Sequence, residues 1–383
     1  MKRLAAVAAL WALAVPAAAQ ADPYVVTLRD SVSSVDNEVD TLRGDLQMPA
    51  PRFRYGSALK GFSADLTADQ VARLRRDPAV AFVQPDVTVV ATGTEPLAAG
   101  ELAPAGLRRI GAASPTEAHG ASTTNVAGII AARNTGSGVV GVAPGTRVYS
   151  VKVLNSRSTG TLSQFLCGIN WVAANAAALN IGVANMSIAG PGSDDGNCGN
   201  TSGDAEHKAI CAATAAGVSF VVAAGNSGTN FATSAPAAYP EVLTATAMTD
   251  TDGLPGAGGP AACARKEADD RYASFSNYAV SVAAAAHAIA APGTCVVSSG
   301  LGGKTSTYSG TSQAAPHVAG TLALCRGSAG VPGPCADLSA ADAIAHVRSD
   351  AAAAATTANG FLGDPLRPLT GKVFGPLVSA ALY

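Results

Sequence analysis

Charge is scarce in this chain. Asp, Glu, Lys and Arg make up 14% of its 383 residues, and the formal net charge is −2. No basic stripe runs along it, which excludes an electrostatic hold on nucleic acid as its organising function. Cysteine is missing from the first 160 residues and nowhere takes the Cys-x-x-Cys spacing of a zinc site. Alanine and glycine are abundant, yet no fixed-period repeat is present. The C-terminal stretch 360–383 is apolar but interrupted by Asp364, Arg367 and Lys372, so it does not read as a membrane span. What remains, 48% apolar residues, is the balance expected of a soluble globular protein with one large core and a smaller domain.

The N-terminus does carry a short apolar run. Lys2-Arg3 precede the apolar residues 4–15, Pro16 ends the run, and Ala19-Gln20-Ala21 offers a small-x-small cleavage site. Residues 1–21 therefore read as a signal peptide, and the mature chain as secreted and extracellular. Seven cysteines in an exported chain imply disulfides with one thiol left over. Spacing favours local pairs: Cys198 with Cys211, Cys263 with Cys295, and Cys325 with Cys335. Cys167, inside an apolar helical pattern, is then the buried free thiol.

Residues 22–92 are richer in charge than the remainder of the chain and hold no cysteine. Tyr24-Val-Val-Thr-Leu28 reads as a strand, 32–46 as a helix, and Lys60-Gly-Phe-Ser-Ala-Asp-Leu66 as a second strand. Thr67 opens a helix with Gln70 at capping-box spacing, Pro78 closes it, and Val80-Ala-Phe-Val-Gln84 is a further strand. That order predicts a small α+β domain. Residues 93–118, rich in Ala, Gly and Pro, read as a linker and the start of a second unit. From Asn125 onward helices are expected at 126–133, 161–179 and 204–216. Strands are expected at 147–154, 181–188, 218–224 and 242–247. Such alternation predicts an α/β fold, a mostly parallel sheet covered on both faces, with function at the carboxyl ends of its strands.

The most informative stretch is Gly310-Thr311-Ser312-Gln313-Ala314-Ala315-Pro316-His317-Val318-Ala319-Gly320. A Gly-Thr-Ser turn enters a small-residue helix, which puts Ser312 where helix-terminal N–H groups favour developing negative charge. The stretch resembles the nucleophile motif of subtilisin-like serine proteases (subtilases), Gly-Thr-Ser-Met-Ala-x-Pro-His-Val-Ala-Gly, from which only Gln313 departs. Val221-Val-Ala-Ala-Gly-Asn226-Ser-Gly resembles the family's oxyanion motif, implying that the Asn226 amide and the Ser312 N–H bind the oxyanion. Asn185-Met186-Ser187-Ile188-Ala189-Gly190 resembles the strand that pairs with extended substrate, and Thr159 and Gly160 lie in the opposing loop. The stretches 58–64 and 83–86 resemble the inhibitory propeptide of the same family, and His317 matches a residue that packs behind the nucleophile.

The resemblance covers residues 24–330. It implies a subtilisin-like three-layer fold at 93–383 preceded by a ferredoxin-like propeptide at 22–92. It further implies a serine endopeptidase that forms an acyl-enzyme on Ser312, acts on extended polypeptides, and is held inactive by its own propeptide. A monomer without nucleic-acid or membrane partners is expected. No cofactor is assigned: the position matching a family calcium ligand is Ala288, and Asp250-Thr-Asp252-Gly253 lacks the other ligands of a calcium loop. Gly136-Ser-Gly138-Val-Val-Gly141 matches a dinucleotide fingerprint but precedes a strand rather than a helix, so a nucleotide site is rejected. His207, His287, His317 and His346 show no metal-ligand grouping by spacing. Asn200-Thr-Ser202 is a glycosylation sequon.

A serine needs a base, and the base an orienting acid. The family's histidine motif is His-Gly-Thr-His-Val-Ala-Gly, whereas this chain reads His119-Gly-Ala-Ser122-Thr-Thr-Asn125-Val-Ala-Gly128. Counting back from Gly128 puts the catalytic position at Ser122 and the second histidine at Asn125; an inserted loop of 121–123 would instead leave His119 as the base. No aspartate occurs between Val87 and Ser193, and only Glu95, Glu101 and Glu117 precede His119 in that interval. The segment from Ala112 to His119 is too short for the strand that carries the family's aspartate. Three readings remain open: an incomplete coding sequence of an active protease, an inactive pseudoprotease that keeps a peptide-binding groove, or a substituting carboxylate from elsewhere in the chain.

Overall fold

The computed structural model describes residues 20–91, 94–97, 109, 125–133, 138–155, 159–264, 266–300, 304–328 and 330–383. Its first sheet is built from Ala21–Leu28, Phe53–Tyr55, Gly61–Thr67 and Val80–Pro85. The order across the sheet is Phe53–Tyr55, Gly61–Thr67, Ala21–Leu28, Val80–Pro85, with every pairing antiparallel. Two helices, Val35–Leu46 and Ala68–Leu74, complete the β-α-β-β-α-β order of a ferredoxin-like unit. Thr67 and Gln70 form the expected capping box, the side chain of each accepting the other's backbone N–H. Val26, Leu28, Val39, Leu42, Phe62, Leu66 and Leu74 fill the core between sheet and helices.

A second sheet lies in the larger unit. Val183–Met186, Ser219–Ala223, Leu243–Thr249 and Ala288–Pro292 run parallel, and the short strand Arg271–Tyr272 pairs antiparallel with the end of Leu243–Thr249. Side chains alternate across a strand, and Ser219–Ala223 shows the result. Val221 and Ala223 face the Thr311–Arg326 and Ala340–Ala354 helices, whereas Phe220 and Val222 face Leu162–Leu179 and Ala205–Ala215. Helices on both faces of a parallel sheet give the three-layer α/β arrangement expected. The Leu162–Leu179 helix is apolar and long enough to cross a membrane, but Leu162, Leu166, Ile169 and Ala176 pack in this core. All three disulfides pair as spacing indicated, and Cys167 is free but half-buried.

Two expectations are corrected. Residues 147–154, expected to be a strand, join no ladder among the described residues, and Val148 and Val151 are exposed. The expected strand at 181–188 is split at Ser187 into Val183–Met186 and Ile188–Pro191, which belong to different sheets. Val183–Met186 pairs only with Ser219–Ala223 among the described residues and is half-buried throughout. The two corrections share a cause. A strand exists only if a neighbour satisfies its backbone groups, and among the described residues neither 147–154 nor the outer edge of Val183–Met186 has one.

The propeptide-like sheet is seated on the N-terminal ends of two helices. Asp86 accepts from both the backbone N–H and the hydroxyl of Ser163 at 2.7 Å, where the helix dipole favours a carboxylate. Gln84 Oε1 accepts from the Ala205 N–H at 2.8 Å. Asn170 Oδ1 accepts from three successive N–H groups, those of Gly56, Ser57 and Ala58, at 3.1, 2.6 and 3.1 Å. Val25, Tyr55, Ala58 and Leu59 bury their side chains in the same cluster as Leu166 and Ile169. Replacing Asn170 with alanine leaves three donors without their acceptor and should weaken this seat by about 1–3 kcal/mol. Hydrogen exchange of full-length chain should then be faster at the Gly56, Ser57 and Ala58 amides; unchanged exchange there contradicts the assignment.

Candidate active site

Ser312 lies in the first turn of the Thr311–Arg326 helix, and every residue from Thr311 to Leu322 is buried. Ala314, Ala315, Val318, Ala319 and Leu322 fit against the sheet strands. Gly320 allows the closest approach, since a Cβ there would lie 2.6 Å from Val142 Cβ. The helix start is thereby fixed at the carboxyl end of the strand Ser219–Ala223. Thr311 makes the link: its N–H and hydroxyl both donate to Asn226 Oδ1 at 2.8 Å, and its hydroxyl oxygen accepts from the Gly225 N–H at 3.1 Å. Because a backbone N–H can only donate, the Asn226 carboxamide oxygen faces Thr311 and its Nδ2 is the end directed away.

Gly225 adopts φ +101, a conformation that favours glycine. The loop it starts is held by Asn277, a buried residue not singled out by sequence. Asn277 Oδ1 accepts from the N–H groups of Ser227 and Thr229, while its Nδ2 donates to Ala224 O at 3.0 Å. No motif marks it; its role is visible only once the loop is folded over it.

Ser312 is also tied to the segment ending the split strand. Its Oγ donates to Ser187 O at 3.1 Å, and Ser187 Oγ donates to Ser312 O at 2.8 Å. Beyond Ser187, Ile188 and Ala189 form an antiparallel ladder with Ala91 and Val90. On the other side of Thr88–Ala91, Thr159 pairs with Val90 and Gly160 with Val89. The segment following the first unit thus lies as the middle strand between the two stretches expected to hold extended peptide. Val89 fills a pocket with Phe165, Ile188, Val153, Leu154 and Met186. The chain re-enters at Thr94–Leu97, where Thr94 pairs with Ser309 and Leu97 with Thr307, just ahead of Ser312.

The His119 position, with Ser122 and Glu117, lies outside the described residues. The helix that follows it, Asn125–Ala131, packs beside the Ser312 helix. Its first residue meets the one departure from the nucleophile motif: Gln313 Nε2 donates to Asn125 Oδ1 at 3.3 Å, and Asn125 Nδ2 donates to Ser306 O at 3.1 Å. Gln313 and Asn125, each a departure from its motif, therefore face each other. The four described histidines are engaged elsewhere. His346 approaches Asp350 on the last helix, His287 packs edge-on to Phe231, and His207 is stacked on Tyr239. His317 is fully buried behind Ser312, with its Nδ1–H donating to Gln313 O at 2.7 Å.

Among the described residues, carboxylates that could hold a cation converge at two places, neither of which includes Ser312. Asp250, Asp252 and Asp269 form one cluster; Asp194 and Asp195 with His207 form the other.

Burial pushes the His317 pKa down to about 4, so the ring is neutral when folded. The unfolded chain takes up that proton near pH 6.5, so stability from this group is complete above 6.5 and is lost as pH falls towards 4. Between pH 7 and 4 the wild type should lose about 3 kcal/mol more unfolding free energy than His317→Asn, which cannot titrate. Urea unfolding at both pH values checks this, and parallel losses would refute it.

Comparison with known proteins adds the lineage. The sequence model of the subtilase family matches residues 111–359, and that of the peptidase inhibitor I9 family matches residues 23–91. The chain is 31% identical over 358 residues to the subtilisin-like serine protease AsES of Sarocladium strictum, covering 82% of this chain and 81% of that protein. It is 35% identical over 204 residues to a subtilisin of Bacillus pumilus, covering 52% of this chain and 61% of that one. A cold-adapted subtilisin-like serine proteinase of known structure aligns with TM-score 0.46 and 27% identity over 67% of this chain and 73% of its own. With a helix-borne Ser312 beside Asn226 and a family match over most of its length, the chain belongs to the subtilase family of serine proteases.

Proposed function

We propose that the chain is the precursor of a secreted subtilisin-type endopeptidase, with residues 1–21 as export signal, 22–92 as inhibitory propeptide and 93–383 as peptidase. Ser312 Oγ attacks the peptide carbonyl and passes its proton to His119, which returns it to the departing amine. Water then hydrolyses the acyl-enzyme by the reverse proton route. The Ser312 N–H and Asn226 Nδ2 bind the oxyanion. Ser187, Ile188, Ala189, Thr159 and Gly160 hold the substrate backbone by strand pairing. The observation that carries this reading is the ladder of Thr88–Ala91 between Thr159–Thr161 and Ile188–Pro191, with Ala91 one pairing from Ser187 and Thr94 paired three residues before Ser312. A peptide running through that groove passes the serine, and the bond we assign to self-cleavage is Thr92–Gly93.

The acid that would orient His119 is unassigned, because no aspartate lies between Val87 and Ser193. Loss of that group from a Ser-His-Asp triad lowers turnover by about 10⁴. Self-cleavage needs a single turnover on a pre-positioned bond and is the step that best survives such a loss. The absence of an aspartate between Val87 and Ser193 and an edge of Val183–Met186 with no partner among the described residues favour a second reading, an inactive relative that retains the peptide groove. N-terminal sequencing of purified full-length chain and its Ser312→Ala variant separates the two. A new N-terminus at Gly93 in the wild type alone supports the peptidase; both chains intact supports the inactive relative.

A further inference from the structure

We propose that Asp194, Asp195 and His207 form a site for one divalent transition-metal cation of the zinc type, away from Ser312. His207 sits in the first turn of the Ala205–Ala215 helix and is completely buried. Its Nε2 lies 2.9 Å from Glu241 Oε2, and its ring stacks on Tyr239 at 4.1 Å with the planes 2° apart. Tyr239 is fixed in turn by its hydroxyl, which donates to Asp204 Oδ2 at 2.6 Å. The ring therefore has one orientation, and its proton belongs on Nε2 facing Glu241.

That leaves Nδ1 as a buried nitrogen with no hydrogen-bond partner. It is directed at two carboxylates, Asp195 Oδ1 at 3.6 Å and Asp194 Oδ1 at 3.8 Å. Both separations exceed a hydrogen bond. They are close to the distance of about 3.4 Å that a nitrogen and an oxygen keep when both bind one tetrahedral zinc. Ligand atoms of the three residues lie within 4.8 Å of one another.

Asp195 is held in one orientation. Its Oδ1 accepts from the N–H groups of Asn197 and Gly199, and its Oδ2 from those of Thr201 and Ser202, all at 2.9 Å. Asp194 is more exposed; its Oδ1 accepts only the Gly196 N–H, at 2.8 Å, so it can close onto an ion. A carboxylate behind the far nitrogen of a ligating imidazole fixes its tautomer and raises its basicity, and Glu241 stands in that place. Nitrogen plus carboxylate ligands suit zinc and its neighbours better than calcium, which takes oxygen alone. The Cys198–Cys211 disulfide ties the turn that follows both aspartates to the helix that carries His207.

The test uses full-length chain stripped with a chelator and titrated with Co²⁺ and with Zn²⁺. The expected result is one equivalent bound, with visible Co²⁺ ligand-field absorption and a raised melting temperature. Asp194→Asn, a change at a half-exposed position, should weaken binding at least tenfold, and Glu241→Gln about 10–100-fold. Asp250→Asn should bind as the wild type does. The proposal is overturned if no equivalent binds, if Asp194→Asn binds as tightly as wild type, or if only Asp250→Asn loses the metal. A melting temperature that responds to pH but not to metal also overturns it, since His207 would then be an imidazolium held by its carboxylates.

Discussion

Everything around Ser312 depends on burying one helix. The Thr311–Arg326 helix has no polar face to give to water: its first twelve residues are all buried. Small side chains let it lie close to the sheet, and that closeness sets the height at which Ser312 meets Asn226 and Ser187. A larger residue at Ala314, Ala315 or Gly320 would lift the helix and move the serine without touching it. The polar ties through Thr311 hold the first turn, but apolar packing determines where that turn can be.

The same economy explains how the first unit engages the second. Its sheet closes over the starts of two helices, where free N–H groups await acceptors. Asp86, Gln84 and Tyr55 meet those helices, and Asn170 answers from the helix side. From that seat the chain has only one short step to the groove, and its next strand is paired on both sides within a four-stranded sheet. Backbone pairing of this kind asks little of side-chain identity, which suits both an inhibitor and a range of substrates.

Much of this was legible in the sequence, because much of it is local. The Ser312 motif is contiguous, Thr67 and Gln70 are three residues apart, and the cysteine pairs are close neighbours along the chain. Residue pattern marked 24–28 and 60–66 as strands, within a few residues of the observed Ala21–Leu28 and Gly61–Thr67. What escaped is non-local. Residues 147–154 have the composition of a strand but no partner among the described residues, and composition says nothing about partners. Ala288–Pro292 is a fully buried strand made largely of alanine, a residue without β character. Asn277 and the Gln313–Asn125 contact join segments far apart in sequence. His207 looked like an ordinary helix residue because its neighbours Asp194 and Asp195 reach it only through a folded loop.

The proposed function requires Ser312 to be a working nucleophile, although no aspartate occurs between Val87 and Ser193. An active-site-directed fluorophosphonate probe tests this most directly, because the reagent reports serine reactivity without requiring a peptide substrate. Covalent labelling of the wild-type chain that disappears in Ser312→Ala is the result expected. A correctly folded wild-type chain that stays unlabelled, even on prolonged exposure, would contradict it and leave the groove as a binding surface alone.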